Sequence, residues 1–423
     1  MLKLLKKDNF LLLFLGRIVA NIGDSLYYVA SMWLVHELGG NPFYTGLAGF
    51  LILLPGAFQF LTGPFVDKWR IKKVLITTQW LQAVLILIIP LAYVFNFLSV
   101  TLILVLIPCV ACIQQFAYPT QTKALPLILK QSELVKGNSL FSFAYQGVDT
   151  IFNAVSGIIV ALFGAIVIYL VNSATFAIAM ILFSFVTIPQ KTLKEQGKQS
   201  SLKQKFSSYK QDLTEGILVV FHSLLWVFLT GPIVLNFANG ILMAILPVYA
   251  DELGGVKMYG FLLTSVSAGA LIGALSGSVL GKFRVGRLAG LCFVLGAVSL
   301  FLSGWLSLPA ITPLLLGIAW IPIGAVNVLF AAVHQSVIPN RLLGRLNSVM
   351  YSVSIIAMPI GSLAGGALAT LIDSRIIFTS TSLGFIFIAL VWLVHPDLRR
   401  LPQAEQMDAS TLHLKIKENQ ATT

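Results

Sequence analysis

Charge is scarce in this chain. Of 423 residues only 10% are Asp, Glu, Lys or Arg, and the acidic ones number 16. Soluble domains carry about 25% charged residues, so a water-solvated globular protein is excluded. Cysteine is scarcer still, at three, too few for a disulfide scaffold. Cys109 and Cys112 have a Cys-x-x-Cys spacing but lie mid-way through an apolar stretch without further Cys or His ligands, so they read as small packing residues. There is no Gly-rich phosphate loop, no Walker sequence and no nucleophile–base motif, which leaves no basis for ATP hydrolysis or covalent catalysis. The expectation is a non-enzyme that needs no metal and no cofactor.

What the chain has is apolar length. Hydrophobic residues make up 57% and the mean hydropathy is +0.90, values of a protein whose solvent is lipid. A hydrocarbon core of about 30 Å takes roughly 20 apolar residues per helix. Twelve such stretches can be drawn, near 10–36, 43–66, 74–96, 99–122, 139–162, 166–188, 225–249, 258–281, 287–307, 310–334, 347–371 and 376–395. The fold class is therefore all-α, with twelve transmembrane helices. The excess of Lys and Arg, a net charge of +12, then calls for no nucleic acid.

Of the 28 Lys and Arg residues, 25 fall in the two tails and in alternate gaps, while the intervening gaps hold only Lys257 and Arg375. Arg17 lies inside the first stretch. Because Lys and Arg near helix ends stay cytoplasmic, both termini are expected in the cytoplasm and the number of spans even. Lys3, Lys6 and Lys7 ahead of a Leu/Phe run imitate a signal peptide, but Arg17 interrupts the run and no small-residue cleavage site follows. This reads as an uncleaved first helix.

The one long polar segment, from Pro189 to about Gly216, holds six lysines. It divides the chain into a six-helix bundle over 1–190, a basic cytoplasmic linker over 191–217, a second six-helix bundle over 218–396 and a cytoplasmic tail over 397–423. Within the linker 206–217 could form an amphipathic helix on the anionic inner leaflet, or simply be solvated. The halves echo one another. Asn138-Ser139 before the fifth stretch recurs as Asn347-Ser348 before the eleventh, an offset of 209 residues, and the turn at 63–73 recurs at 277–287, an offset of 214. Six plus six helices in parallel repeat is the plan of the major facilitator superfamily.

Individual residues carry the resemblance further. Gly63-Pro64-Phe65-Val66-Asp67-Lys68, followed by Lys72 and Lys73, resembles that superfamily's signature between helices 2 and 3. Tyr118-Pro119, Leu125-Pro126, Glu133-Leu134 and Asn138-Ser139-Leu140, with Gln335, Val337, Pro339, Gly344-Arg345 and Ser348, resemble its macrolide-efflux and enterobactin-exporter branch. Gly23-Asp24 fits as well. The chain departs at Arg70-Ile71, where Gly and Arg are usual, and at Val110, where relatives commonly carry an Arg associated with proton coupling. The resemblance implies a monomeric, multi-pass protein of the bacterial inner membrane that exports an amphipathic, drug-like molecule in exchange for protons. Gly63, Asp67, Lys68, Lys72, Gly344 and Arg345 would form the cytoplasmic gating loops.

Charged residues at membrane depth are costly and mark function or pairing. Here they are Arg17, Asp24 and Asp149. Arg17, Asn21, Asp24 and Tyr28 are spaced 4, 3 and 4 apart, which places them on one helical stripe. Ser142, Gln146, Asp149, Asn153 and Ser156 form a second stripe, and Trp320, Asn327 and His334 a third. Asn236 and Asn239 on the seventh stretch could hydrogen-bond a substrate or a neighbouring helix. A carboxylate such as Asp24 can carry a proton, whereas Arg17 could pair structurally with Asp149. Glycines every four residues, at Gly269, Gly273, Gly277 and Gly281, together with Gly157, Gly361 and Gly49, would let helices slide. A lysophospholipid flippase, a siderophore exporter and, from another class, a non-transporting sensor binding a partner through its basic linker stay open.

Overall fold

The computed structural model describes residues 4–59, 62, 69–188, 218–280, 283–337, 340–403 and 406–407. These are helical almost throughout. In lipid every backbone N–H and C=O must find its partner within the segment, and the α-helix does this. Helix α1, Asp8–Gly39, ends where Gly40 takes a φ of 62°. Asn41 then accepts from Phe43 N at 2.8 Å and opens α2, Pro42–Ala57, with proline at its first turn. Helix α3 is Ile71–Val94 and α4, capped by Ser99, is Val100–Gln114.

The fourth apolar stretch, expected as one helix over 99–122, is one candidate span, Val100–Ile128, with a turn inside it. After α4 the chain breaks at Gln115 and Phe116, and α5 runs Ala117–Ile128. Pro119 explains the break, since it has no N–H for the Gln115 carbonyl and its ring crowds that oxygen. Lys123, assigned to a loop, consequently sits in a helix. The fifth stretch also differs: α6, Leu134–Ser142, passes through a π-helical turn at Phe143–Gly147 into α7, Val148–Phe163. Its two portions, Lys136–Phe152 and Val155–Phe163, meet at 49°.

Gly164, with φ 78°, separates α7 from α8, Ala165–Phe185. There follow α9 (Leu225–Gly254), α10 (Val256–Leu280), α11 (Val285–Leu306), α12 (Ile311–Val337), α13 (Asn340–Leu368), α14 (Ser374–Ser380), α15 (Ser382–Val394) and the short α16 (Pro396–Arg399). Among the described residues ten helices are long and apolar enough to cross a membrane, with α4–α5 (Val100–Ile128) and α14–α15 (Ser374–Val394) each counted as one, or eleven if the bent pair is one span, and α2 is a shorter apolar helix. The linker 191–217, its proposed amphipathic helix and the tail beyond residue 407 lie outside the described residues.

The chain divides into two compact units. The first comprises Met1–Gln199, Met243–Ser267 and Ser362–Ser374, the second Ser200–Leu242, Ala268–Gly361 and Arg375–Thr423. Within the first, α1 packs on α7 and α8, α3 on α8, and α2 on α4; within the second, α11 packs on α12 and α15. Large apolar side chains such as Leu87, Leu170, Ile178, Leu291 and Leu390 point outward, as a lipid solvent permits.

Small residues set the closest approaches. A Cβ on Gly157 would stand 2.0 Å from Gly260 Cα, and one on Gly46 would stand 2.5 Å from Gly366 Cα, so backbones touch in the first unit between α7 and α10 and between α2 and α13. Ser362 Oγ donates to the Gly46 carbonyl at 3.1 Å beside the second contact. The glycine series of α10 serves a different neighbour: Gly269 meets the Gly317 carbonyl and Gly273 the Ile321 carbonyl, both on α12. Gly361 meets Phe237 on α9.

Candidate functional site

The first unit gathers the charged stripe of α1. Arg17 and Asn21 are buried, and Asp24 and Tyr28 half-buried. Arg17 Nη2 donates to Asn21 Oδ1 at 2.5 Å, and its guanidinium lies 4.5 Å from the centre of the Tyr145 ring. Asn21 in turn donates through Nδ2 to the Tyr145 carbonyl at 2.5 Å and lies 3.3 Å from the Ala144 carbonyl. Both carbonyls belong to the π turn, where the i→i+5 pattern replaces ordinary helical bonding. An amide from α1 thus reaches the widened turn. One turn on, Ser25 Oγ donates to Asp149 Oδ1 at 2.7 Å.

The contacts seen for Arg17 and Asp149, offered above as a structural pair, are with other groups. Arg17 holds to an amide oxygen and an aromatic face, its Nε buried without a hydrogen-bond partner, while Asp149 takes a hydroxyl. Asp24 faces the amides of Gln114 and Gln82, with Arg17 and Asp149 close enough to act on it electrostatically. Gln82 is held from behind by Gln79, whose Nε2 donates to Gln82 Oε1 at 3.1 Å. The ion pairs formed among the described residues, Lys7 with Glu133 and His36 with Asp251, do not include Asp24.

The second unit holds a cavity of about 150 Å³, bounded by Asn236, Asn239, Trp320, Asn327, Phe330 and Trp392 among others. Asn236 Nδ2 donates to the Pro232 carbonyl at 2.9 Å, and the buried Asn239 Oδ1 has no partner. Phe330 and Trp392 stack with centroids 5.2 Å apart. The structure thus brings together Arg17, Asn21, Asp24, Tyr28 and Asp149 in one unit, and Asn236, Asn239 and Asn327 in the other.

Of the remaining expected residues, Gly63, Asp67 and Lys68 lie outside the described residues. Gln146 is in the π turn and Asn153 in α7, and Gly344 and Arg345 are near the start of α13; their side chains are outside the described set. Lys72 is half-buried in the first turn of α3. Tyr145, Ser25 and Gln82 were missed, although Ser25 falls four residues after Asn21 and so on the same stripe. Trp392 carried no signal, since an indole in a uniformly apolar run looks like any lipid-facing or packing aromatic.

A family model described as a transmembrane secretion effector matches residues 2–421. The chain belongs to this family of the major facilitator superfamily. It is similar to the multidrug efflux pump Tap of Mycolicibacterium fortuitum, 24% identical, with 95% of this chain and 99% of that one covered. It is also similar to macrolide efflux protein A of Streptococcus pyogenes, again 24% identical, over 93% and 98% of the two chains. Among solved structures, the nucleoside transporter NupG matches with a TM-score of 0.69 at 10% identity, covering 91% of this chain and 98% of its own, a likeness of fold. The member described here is a multi-pass transporter of the bacterial plasma membrane.

Proposed function

We propose that this transporter exports an amphipathic, drug- or antibiotic-like molecule in exchange for protons, with Asp24 as the proton carrier. The observation that carries the reading is the setting of Asp24: a half-buried carboxylate in the middle of α1, facing two uncharged amides and standing outside the ion pairs among the described residues. Such a group can be neutralised by a proton rather than by a fixed cation. Arg17 lies near enough to respond, because a guanidinium held, among the described residues, by Asn21 and Tyr145 can strengthen its interaction with Asp24 when the proton leaves. The names of the efflux relatives support export. Twelve spans in two six-helix bundles with cytoplasmic ends, a monomeric state, and Asp67 with Arg345 as a cytoplasmic gate complete the reading.

The test is reconstitution in proteoliposomes with an imposed pH gradient and ethidium as a fluorescent amphipathic cation. Wild type is expected to concentrate the dye, Asp24→Asn to bind without concentrating it, and Asp24→Glu to retain part of the activity. Accumulation by Asp24→Asn equal to wild type would make Asp24 structural.

A further inference from the structure

We propose that the cavity inside the second unit is a binding pocket for one ring-sized group bearing a protonated amine. The inference rests on the reading of the chain as an exporter and names the part of the cargo this pocket takes. At about 150 Å³ the space matches cavities that accept a single benzene-sized ring, so it holds one moiety of an amphipathic molecule and not the whole.

The walls decide the charge. Among the described residues none of the side chains around the cavity is ionisable as acid or base, so there an anionic group would be desolvated without a described cation to meet it. Beside the N–H donors of the asparagines and indoles, the walls offer acceptors and π faces. Asn239 Oδ1 is buried and accepts from none of the described residues, a group that native structures rarely leave unmet. Asn236 already spends an N–H on the Pro232 carbonyl at 2.9 Å, which leaves its oxygen as an acceptor. The indoles of Trp320 and Trp392 and the ring of Phe330 add negative π faces. Amide oxygens and aromatic faces attract the same partner, an N–H cation. A plain hydrocarbon ring would fill the space but leave Asn239 unmet.

The pocket also differs in kind from the site in the first unit. There the charged residues Arg17, Asp24 and Asp149 cluster, whereas here the described lining carries no charge. The proton-carrying groups and this pocket are thus built from different residues and can be tested apart.

Purified full-length protein in detergent, titrated with benzyldodecylamine and followed by tryptophan emission, reads binding directly, because Trp320 and Trp392 line the cavity. Wild type is expected to bind the amine saturably and 4-dodecylbenzenesulfonate at least tenfold more weakly. Asn239→Leu should weaken the amine about tenfold, the usual worth of a hydrogen bond to a charged group. Val326→Phe, which fills the space from a buried wall position, should abolish saturable binding. Both variants are compared only as monodisperse protein, and Asn239→Asp, expected to bind the amine more tightly, serves where Asn239→Leu does not fold. Equal affinity of amine and sulfonate, or wild-type amine affinity in both cavity variants, overturns the proposal. Proteoliposome transport of the same amine separates the two readings. Transport with cavity-independent binding leaves the exporter and removes the pocket, while cavity-dependent binding without transport leaves the pocket and removes the exporter.

Discussion

Gly157 and Gly260 leave no room for a side chain at either position: a Cβ on the first would stand 2.0 Å from Gly260 Cα, and one on the second 2.7 Å from Gly157 C. Both obstacles are backbone, so neither can rotate away. Alanine at either position should lower the thermal unfolding temperature in detergent, with an overpacking cost of about 1–3 kcal/mol. Gly56→Ala is the control, because a Cβ there meets nothing within 4 Å, and it should unfold like wild type. Equal unfolding temperatures for Gly157→Ala and Gly56→Ala would mean the two backbones are not in contact.

Arg17 and Asn21 are expected to act as a unit, since the 2.5 Å bond between them is continued by Asn21 into the Tyr145 carbonyl. The two side chains stand four residues apart on α1, and such pairs on one helix couple by about 0.2–0.5 kcal/mol. A double-mutant cycle with Arg17→Met and Asn21→Leu, read by unfolding in mixed micelles, should return a coupling within that span. Strict additivity would show that the guanidinium does not depend on Asn21.

A pH dependence follows from Glu133, which accepts from Lys7 Nζ at 2.6 and 2.7 Å and from the Lys130 N–H at 3.0 Å. These donors hold its carboxyl below the usual glutamate value of 4.5. A lowered folded value means the stabilisation is fully present above that usual value and is lost as the pH falls through the lowered one. The pair is partly exposed and salt will screen it. Wild type should therefore unfold at a slightly higher temperature than Glu133→Gln at neutral pH and low salt, with the gap closing in acid below about pH 4.5 and at high salt. A gap that widens in acid would reverse the assigned direction.

Membrane orientation is predicted by the Lys and Arg bias alone. Reporter fusions after residues 200 and 254 should report opposite sides of the membrane, the first cytoplasmic. Cytoplasmic signals from both would refute the twelve-span topology.

Much of the fold was legible because a lipid solvent simplifies the code. Apolar length demands helices, and the described helices lie close to the stretches drawn from hydropathy. The departures have local causes: Pro119 puts a turn into the fourth stretch, which stays one span, and the fifth carries a π turn at Phe143–Gly147 and a bend between Phe152 and Val155. Hydropathy averages over windows and is blind to a single missing N–H or to one extra residue in a turn.

The candidate site was legible as stripes and illegible as contacts. Spacing placed Arg17, Asn21, Asp24 and Tyr28 on one face of α1, because helical periodicity is a property of the local chain. It left open whether Arg17 would meet Asp149, and it gave no hint that the stacked rings of Phe330 and Trp392 border a cavity with Asn239.

By itself, then, the sequence determined the solvent, the helices, the expected orientation and which faces carry polar groups, since these depend on composition, hydropathy and a period of 3.6 residues. Tertiary structure alone decided that Arg17 leans on Tyr145 while Ser25 holds Asp149, that Gly269 and Gly273 of α10 serve α12 while Gly260 of the same helix serves Gly157, and that three asparagines share a cavity. Those choices turn on which helix lies beside which and how it is rotated, and in lipid that is set by close packing between distant segments rather than by any pattern along one of them.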